Sequence, residues 1–197
     1  MLLRDRLVEI VGATPWLMRA LRAVRSVAPR DACVGAGAVR STVWDSLHGY
    51  SVPSPVADVD VAYYEPMNLS PETEALYQRR LADLEPGLRW DVVNQAAVHL
   101  WYEKTFGRTV APLRSLEEGI GSWPETATAV AVRLDAHDCL QVVAPLGLED
   151  LFDCVVRRNP ARASESMFRA RVEAKRYDER WPRVRIVGRT RARRDDA

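Results

Sequence analysis

Asp58 and Asp60 stand two residues apart in "DVDVAYY", a run whose alternation and β-propensity predict a strand. Side chains at i and i+2 leave a strand from one face, so Asp58, Asp60 and Ala62 share one side, and Val59, Val61 and Tyr63 share the other. With the valines in a core, the two carboxylates, about 7 Å apart at their Cα atoms, can converge on a divalent cation such as Mg²⁺ or Mn²⁺. Without a cation such a pair repels, and one member takes up a proton. "LRWDVV" repeats the pattern, with Asp91 on the face opposite Trp90 and Val92. If the two strands are neighbours, Asp91 joins the pair. Three carboxylates around one or two metal ions suit in-line attack on a phosphate. The plainer reading of D-x-D on a strand is a solvated edge face.

A second cluster lies just upstream. In "GAGAVR", Gly35 and Gly37 let the backbone turn tightly and approach a ligand closely. The free N–H groups opening the following helix face an anion, and Arg40 adds a charge suited to bidentate phosphate contact. The run lacks the G-K-[ST] of a Walker A loop and the third glycine of a dinucleotide-binding turn. Alone it is a tight β–α turn. After Asp91, "NQAAVH" places Asn94, Gln95 and His99 near the same cleft, although Asn94 would serve equally as a helix cap. Trp44 and Trp101 read as core residues more readily than as base-stacking ones. His48, His99 and His137 make no metal-ligand pattern.

The elements that must carry these residues alternate. Thr14–Pro15 predicts a helix start, "ACVGAG" a short strand, and "RSTVWDSLHG" a helix ended by Gly49. A helix follows Ser70–Pro71, and "NQAAVHLWYEKTFG" reads as helical. Ser115 and Glu118 form a capping-box signature. "ATAVAVRL" and "CLQVVAPL" flank "DAHD" as a hairpin. "GLEDLFDCVVRR" and "SESMFRARVEAKRYDERW" are expected to be helices, the second with a Met167, Ala170, Ala174, Tyr177, Trp181 stripe facing the core. Arg169, Arg176 and Arg180 then form a solvated row, with Arg171 and Lys175 within reach of phosphates. The pattern is α+β (mixed α/β) with a mixed sheet flanked by helices. We expect one domain over 1–187, a core over about 30–145, C-terminal helices over about 147–182, and a flexible tail over 188–197.

The 197 residues carry a net charge of +1, so no global field points to nucleic acid or membrane. Charge is uneven: from Arg157 onward 14 Lys+Arg face 6 Asp+Glu, which leaves the acidic excess in the part that holds the aspartates. The three cysteines are odd in number and scattered, reading as reduced thiols, and no run is long and apolar enough to span a membrane. A cytoplasmic protein is expected, of open oligomeric state.

Taken together, "GAGAVRSTVWDSLHG…DVDVAYY" resembles the signature of the DNA polymerase β-like nucleotidyltransferase superfamily, in the form seen in CCA-adding enzymes and bacterial poly(A) polymerases. "AGAVR", "VWDSLHG", "DVDVAY", "NQAAVHLWY" and "WPETATAVAVRL" further resemble a bacterial family of small predicted nucleotidyltransferases, from about Cys33 to Arg183. The resemblance implies a polymerase β-like core, with Gly37 at the triphosphate, Asp58 and Asp60 on Mg²⁺, and Asp91 as third carboxylate. Ala36 stands where the first glycine of the pair belongs, and Ser41 where the tRNA-modifying enzymes have aspartate. These departures point away from the tRNA substrate of those enzymes, and their neck and body domains are not expected in this chain. The function expected is Mg²⁺-dependent transfer of an NMP unit from an NTP such as ATP to an acceptor hydroxyl. That acceptor could be a small molecule, protein or RNA. A non-catalytic nucleotide- or RNA-binding module is the alternative, with a D-x-D sugar-nucleotide glycosyltransferase behind it.

Overall fold

The computed structural model describes residues 1–188, so the expected tail lies outside the described residues apart from Gly188. Two helices open the chain, α1 (Leu3–Gly12) and α2 (Pro15–Val27). The first was not expected, because charges break its apolar pattern. Leu7 and Val11, four apart, are buried all the same, while Arg4, Asp5, Arg6 and Glu9 stay exposed. Pro15 does open α2, but the Thr14 hydroxyl donates back to the Ile10 carbonyl (2.8 Å) and caps nothing.

Strand β1 (Cys33–Gly35) runs directly into α3 (Ala36–His48), which Gly49 closes in the left-handed conformation at φ 67°. Strand β2 (Val59–Tyr63) is followed by α4 (Pro71–Leu84), whose first turn is held by the Ser70 hydroxyl accepting from the Glu72 N–H. Strand β3 (Trp90–Asn94) leads through a 3₁₀ turn (Gln95–Ala97) into α5 (Val98–Phe106). Helix α6 (Leu116–Gly121) starts as expected, with the Ser115 hydroxyl accepting from the Glu118 N–H. Strands β4 (Ala131–Leu134) and β5 (Leu140–Val143) form the expected hairpin.

The five strands make one mixed sheet in the order β3-β2-β1-β4-β5. Only β2 and β3 are parallel, joined by α4 as crossover. Val34, Val59, Val61, Tyr63, Trp90, Val92 and Val132 point to one face, into a core shared with α2, α3 and α4. The opposite face is covered only in part. Leu116 and Ile120 of α6 pack on Cys33, Ala62 and Ala131, and the β2–β3 end is left open.

The C-terminal part departs from expectation. "GLEDLFDCVVRR" is one short helix, α7 (Glu149–Phe152), then strand β6 (Val155–Val156), which pairs in parallel with β7 (Arg185–Ile186). The single helix expected over 164–181 is two: α8 (Glu165–Lys175) and α9 (Tyr177–Arg180), separated by Arg176 at φ 49°. That break changes the buried face. Phe168, Val172, Tyr177 and Trp181 enter the core, while Ala170 and Ala174 are exposed and Met167 only partly covered.

Candidate functional site

Asp60 sits in the middle of a row crossing four strands. Gly35 of β1 pairs with it on one side and with Ala131 of β4 beyond, and Asp91 of β3 pairs with it on the other. Paired residues share a face, so the two carboxylates rise side by side from the open end of the sheet. Asp58, just before β2, is close enough for its charge to bear on both. Burial first, then the charges of Asp58 and Asp91, push the Asp60 carboxyl up to about 6, against the opposing pull of Arg171 and a Gly37 main-chain hydrogen bond. Partial desolvation and Asp58 also raise Asp91. Among the described residues no three His, Cys, Asp or Glu side chains are gathered closely enough to hold a metal ion by themselves.

The turn between β1 and α3 stands beside these acids, but its glycines divide the work differently from expectation. A Cβ on Gly35 would fall 2.6 Å from the Trp123 ring, so this glycine makes room for protein, not ligand. A Cβ on Gly37 would meet nothing nearer than Arg40 Nη2 at 3.8 Å. The residue that adopts positive φ is Ala36, at 49°.

Two expected ligand contacts are corrected. Arg40 is 4% exposed, its guanidinium 4.7 Å from the Tyr177 ring centre, 5.3 Å from Trp44 and 5.8 Å from Trp181. It ties α3 to α9 by cation–π contact, and its Nε is buried with no hydrogen-bond partner among the described residues. Asn94 is 1% exposed and fully engaged. Its Oδ1 accepts from the Glu65 and Ala96 N–H groups, and its Nδ2 donates to the Glu65 and Asn68 carbonyls. All four hydrogen-bonding positions of the amide are filled by protein, so it clasps a loop.

Asp60 and Asp91 open onto a cleft of about 540 Å³ whose far side no sequence motif announced, while Asp58 lies outside it, in a separate pocket with Arg89, Trp90 and Asp91. Trp101 (37% exposed) and Phe106 (43%) of α5 line it with Trp123, and α8 supplies Met167, Arg171 and Lys175. Trp101, expected in the core, is thus a wall of the cleft. Arg171 Nε donates to Glu125 at 2.5 Å. Glu125, wholly buried, also accepts from the Thr128 hydroxyl (2.7 Å) and the Tyr177 hydroxyl (3.1 Å). The sequence did hold one signal for Glu125: it is the only charged residue between Glu118 and Arg133. Asp45 is a second missed support. Its carboxylate accepts from Trp181 Nε1 (2.7 Å), the Ser54 N–H (2.7 Å) and the Ser54 hydroxyl (2.6 Å), anchoring the loop that leads to Asp58.

A protein whose NMR structure reveals a CCA-adding enzyme head domain is similar over 92% of this chain and 94% of its own, at 26% identity and a TM-score of 0.76. Two larger structures share the fold. The Thermotoga maritima CCA-adding enzyme complexed with tRNA matches 92% of this chain at 16% identity and TM-score 0.53. A CCA-adding enzyme in complex with CTP matches 93% at 19% identity and TM-score 0.50. This chain covers 42% of each of those two. No curated protein matches it. A family model described as nucleotidyltransferase matches residues 22–186, a span that holds the three aspartates, the glycine turn and α8. The chain belongs to the nucleotidyltransferase family.

Proposed function

We propose that this protein transfers an NMP unit from an NTP to an acceptor hydroxyl, with Asp58, Asp60 and Asp91 as the acidic centre. The observation that carries the reading is the direct pairing of Asp60 with Asp91 at the mouth of a cleft, beside the unobstructed Gly37. The family implies a divalent metal, and the residues fit one. Their donors are hard carboxylate oxygens, and the upward push on Asp60 and Asp91 by neighbouring negative charge is what a cation would relieve. Mg²⁺ takes one or two carboxylates and completes its shell with water and substrate phosphate, a demand the paired Asp60 and Asp91 can meet. When bound, the ion supplies positive charge to the phosphates as negative charge builds on them.

The chain's own groups do the rest. Gly37, without a side chain, lets the triphosphate approach the first turn of α3, where the Gly37 N–H bonds the Asp60 carboxyl and the Ala36 N–H bonds the Val130 carbonyl. Arg171 takes the phosphate-facing place foreseen for Arg40: Glu125 fixes its Nε while the guanidinium borders the cleft near Asp60. The acceptor oxygen bonds to the α-phosphorus, pyrophosphate leaves with the electron pair of the broken P–O bond, and the hydroxyl proton passes to Asp91.

A nucleotide-binding module without turnover is the second reading, favoured by the enclosure of Arg40. The test is a panel of α-³²P-labelled NTPs against hydroxyl-bearing metabolites with pyrophosphate detection. Label transfer with stoichiometric pyrophosphate supports the proposal. NTP binding that is independent of Mg²⁺, with no pyrophosphate from any acceptor, supports the module.

A further inference from the structure

The cleft joins unlike groups. Asp60, Asp91 and Arg171 line it, and so does Arg162, whose guanidinium lies against the Tyr102 ring. Its α5 wall is a connected run of rings: Trp101 and Tyr102 at 6.1 Å, Tyr102 and Phe106 at 4.6 Å, Trp101 and Phe106 at 6.5 Å. Trp101 and Phe106 are more than a third exposed and present flat apolar surface to the cleft.

Arg162 is held rigidly but incompletely. Its guanidinium lies 5.4 Å from the Tyr102 ring centre and its Nη2 donates to the Ala111 carbonyl at 3.1 Å. Its Nη1 is buried with no hydrogen-bond partner among the described residues. The residue as a whole is only partly buried and lines the cleft, so a carboxylate bound there can meet the accessible part of its guanidinium. Arg108, 5.7 Å from the same ring centre and outside the cleft lining, donates to the Arg162 carbonyl and braces this residue from behind. The volume of about 540 Å³ suits a small molecule.

We infer that the acceptor is a small hydroxyl-bearing acid, with its carboxylate on Arg162, its planar apolar body on Trp101 and Phe106, and its hydroxyl turned toward Asp91. This rests on the nucleotidyltransferase reading for the chemistry, but the binding itself can be tested without turnover. In transfer, the acceptor oxygen would bond to the α-phosphorus, the bond to the pyrophosphate oxygen would break with its electron pair, and the hydroxyl proton would go to Asp91.

The experiment titrates the full-length protein with 4-hydroxyphenylacetate and with its neutral analogue 4-hydroxyphenethyl alcohol, followed by the indole N–H resonance of Trp101 and assigned with Trp101→Phe. In parallel, MgATP binding is measured by calorimetry. The acid should bind at least tenfold more tightly than the alcohol and shift Trp101. Arg162→Met should erase that preference while MgATP affinity stays within twofold. Trp101→Ala, at a half-exposed ring, should weaken both probes together without lowering the melting temperature, and covers the case in which Arg162→Met fails to fold. Equal affinity for the two probes, an unmoved Trp101 resonance, or parallel loss of MgATP binding in Arg162→Met overturns the inference; the last would assign this end to the nucleotide. Failure of the parent protein to bind any of the four NTPs with Mg²⁺ would sink the nucleotidyltransferase reading while leaving the acid-binding result intact.

Discussion

Glu125 has no exposed surface and accepts from Arg171 Nε at 2.5 Å, so the cation bordering the cleft is pinned from behind by a charge that never meets water. The Tyr177 hydroxyl shares the same carboxylate oxygen, and Tyr177 in turn stacks on Arg40. One buried network therefore joins the loop after α6, α8, α9 and the first turns of α3.

Removing the anion leaves Arg171 uncompensated in a largely desolvated place. Glu125→Ala should cost about 3–5 kcal/mol, read from urea unfolding. Glu125→Gln, which keeps hydrogen-bonding atoms but not the charge, should cost less. An undiminished midpoint in Glu125→Ala would show that the pair does not hold the C-terminal helices.

Asp60 carries opposite consequences for stability and activity. Its folded pKa of about 6 lies above the ordinary 3.8, so its contribution is fully present below about pH 4 and is lost as pH rises through 6. Asp60→Asn should therefore be more stable than the parent at pH 7.5, by on the order of 2 kcal/mol, with the gap closing toward pH 4.5. Transfer should fall by at least about a thousandfold, in line with loss of a charge-stabilising group. Paired melts at the two pH values check the first statement, and labelled-NTP turnover checks the second.

Gly35 and Gly37 should separate packing from ligand approach. Gly35→Ala forces a Cβ into Trp123 and Ala131 and should destabilise by about 1–3 kcal/mol. Gly37→Ala meets only ordinary contact with Arg40, so its melting temperature should stay near the parent's while NTP affinity drops about tenfold. Calorimetry and thermal melts on both variants decide the matter. Equal stability losses would remove Gly37 from the proposed phosphate site.

Ala36 holds a positive φ that glycine adopts without strain. Ala36→Gly should stabilise the protein by up to about 1 kcal/mol, since relief of the left-handed conformation outweighs the added freedom of the unfolded chain. A lowered unfolding midpoint would contradict this.

The sheet and the acidic row were legible because strands alternate: a period of two fixes which face Asp58, Asp60 and Asp91 occupy, and the hydrophobic partners Val59, Val61, Trp90 and Val92 fix which face is core. What was not legible depended on distant partners. Arg40 reads as a phosphate ligand until Tyr177 and Trp181, far along the chain, close around it. Asn94 reads as a cleft residue until the loop at Glu65 and Asn68 fills its amide. The aromatic wall escaped notice because Trp101 and Phe106 are five apart on α5, and only the placement of α8 across from them makes a cleft. Helix α8 itself was misjudged in extent, since nothing local at Arg176, a non-glycine residue, signals a left-handed break.

The parallel ladder between β2 and β3 limits how this protein can vary in length. Adding one residue inside either strand would rotate a carboxylate into the interior and bring Trp90 or Val92 out to water. Asn94 fastens the connection that leaves β2, so growth there would unhook its amide. Relatives with longer crossovers should thus carry the extra residues at 85–88, between the end of α4 and the Arg89 carbonyl that accepts from the Val59 N–H.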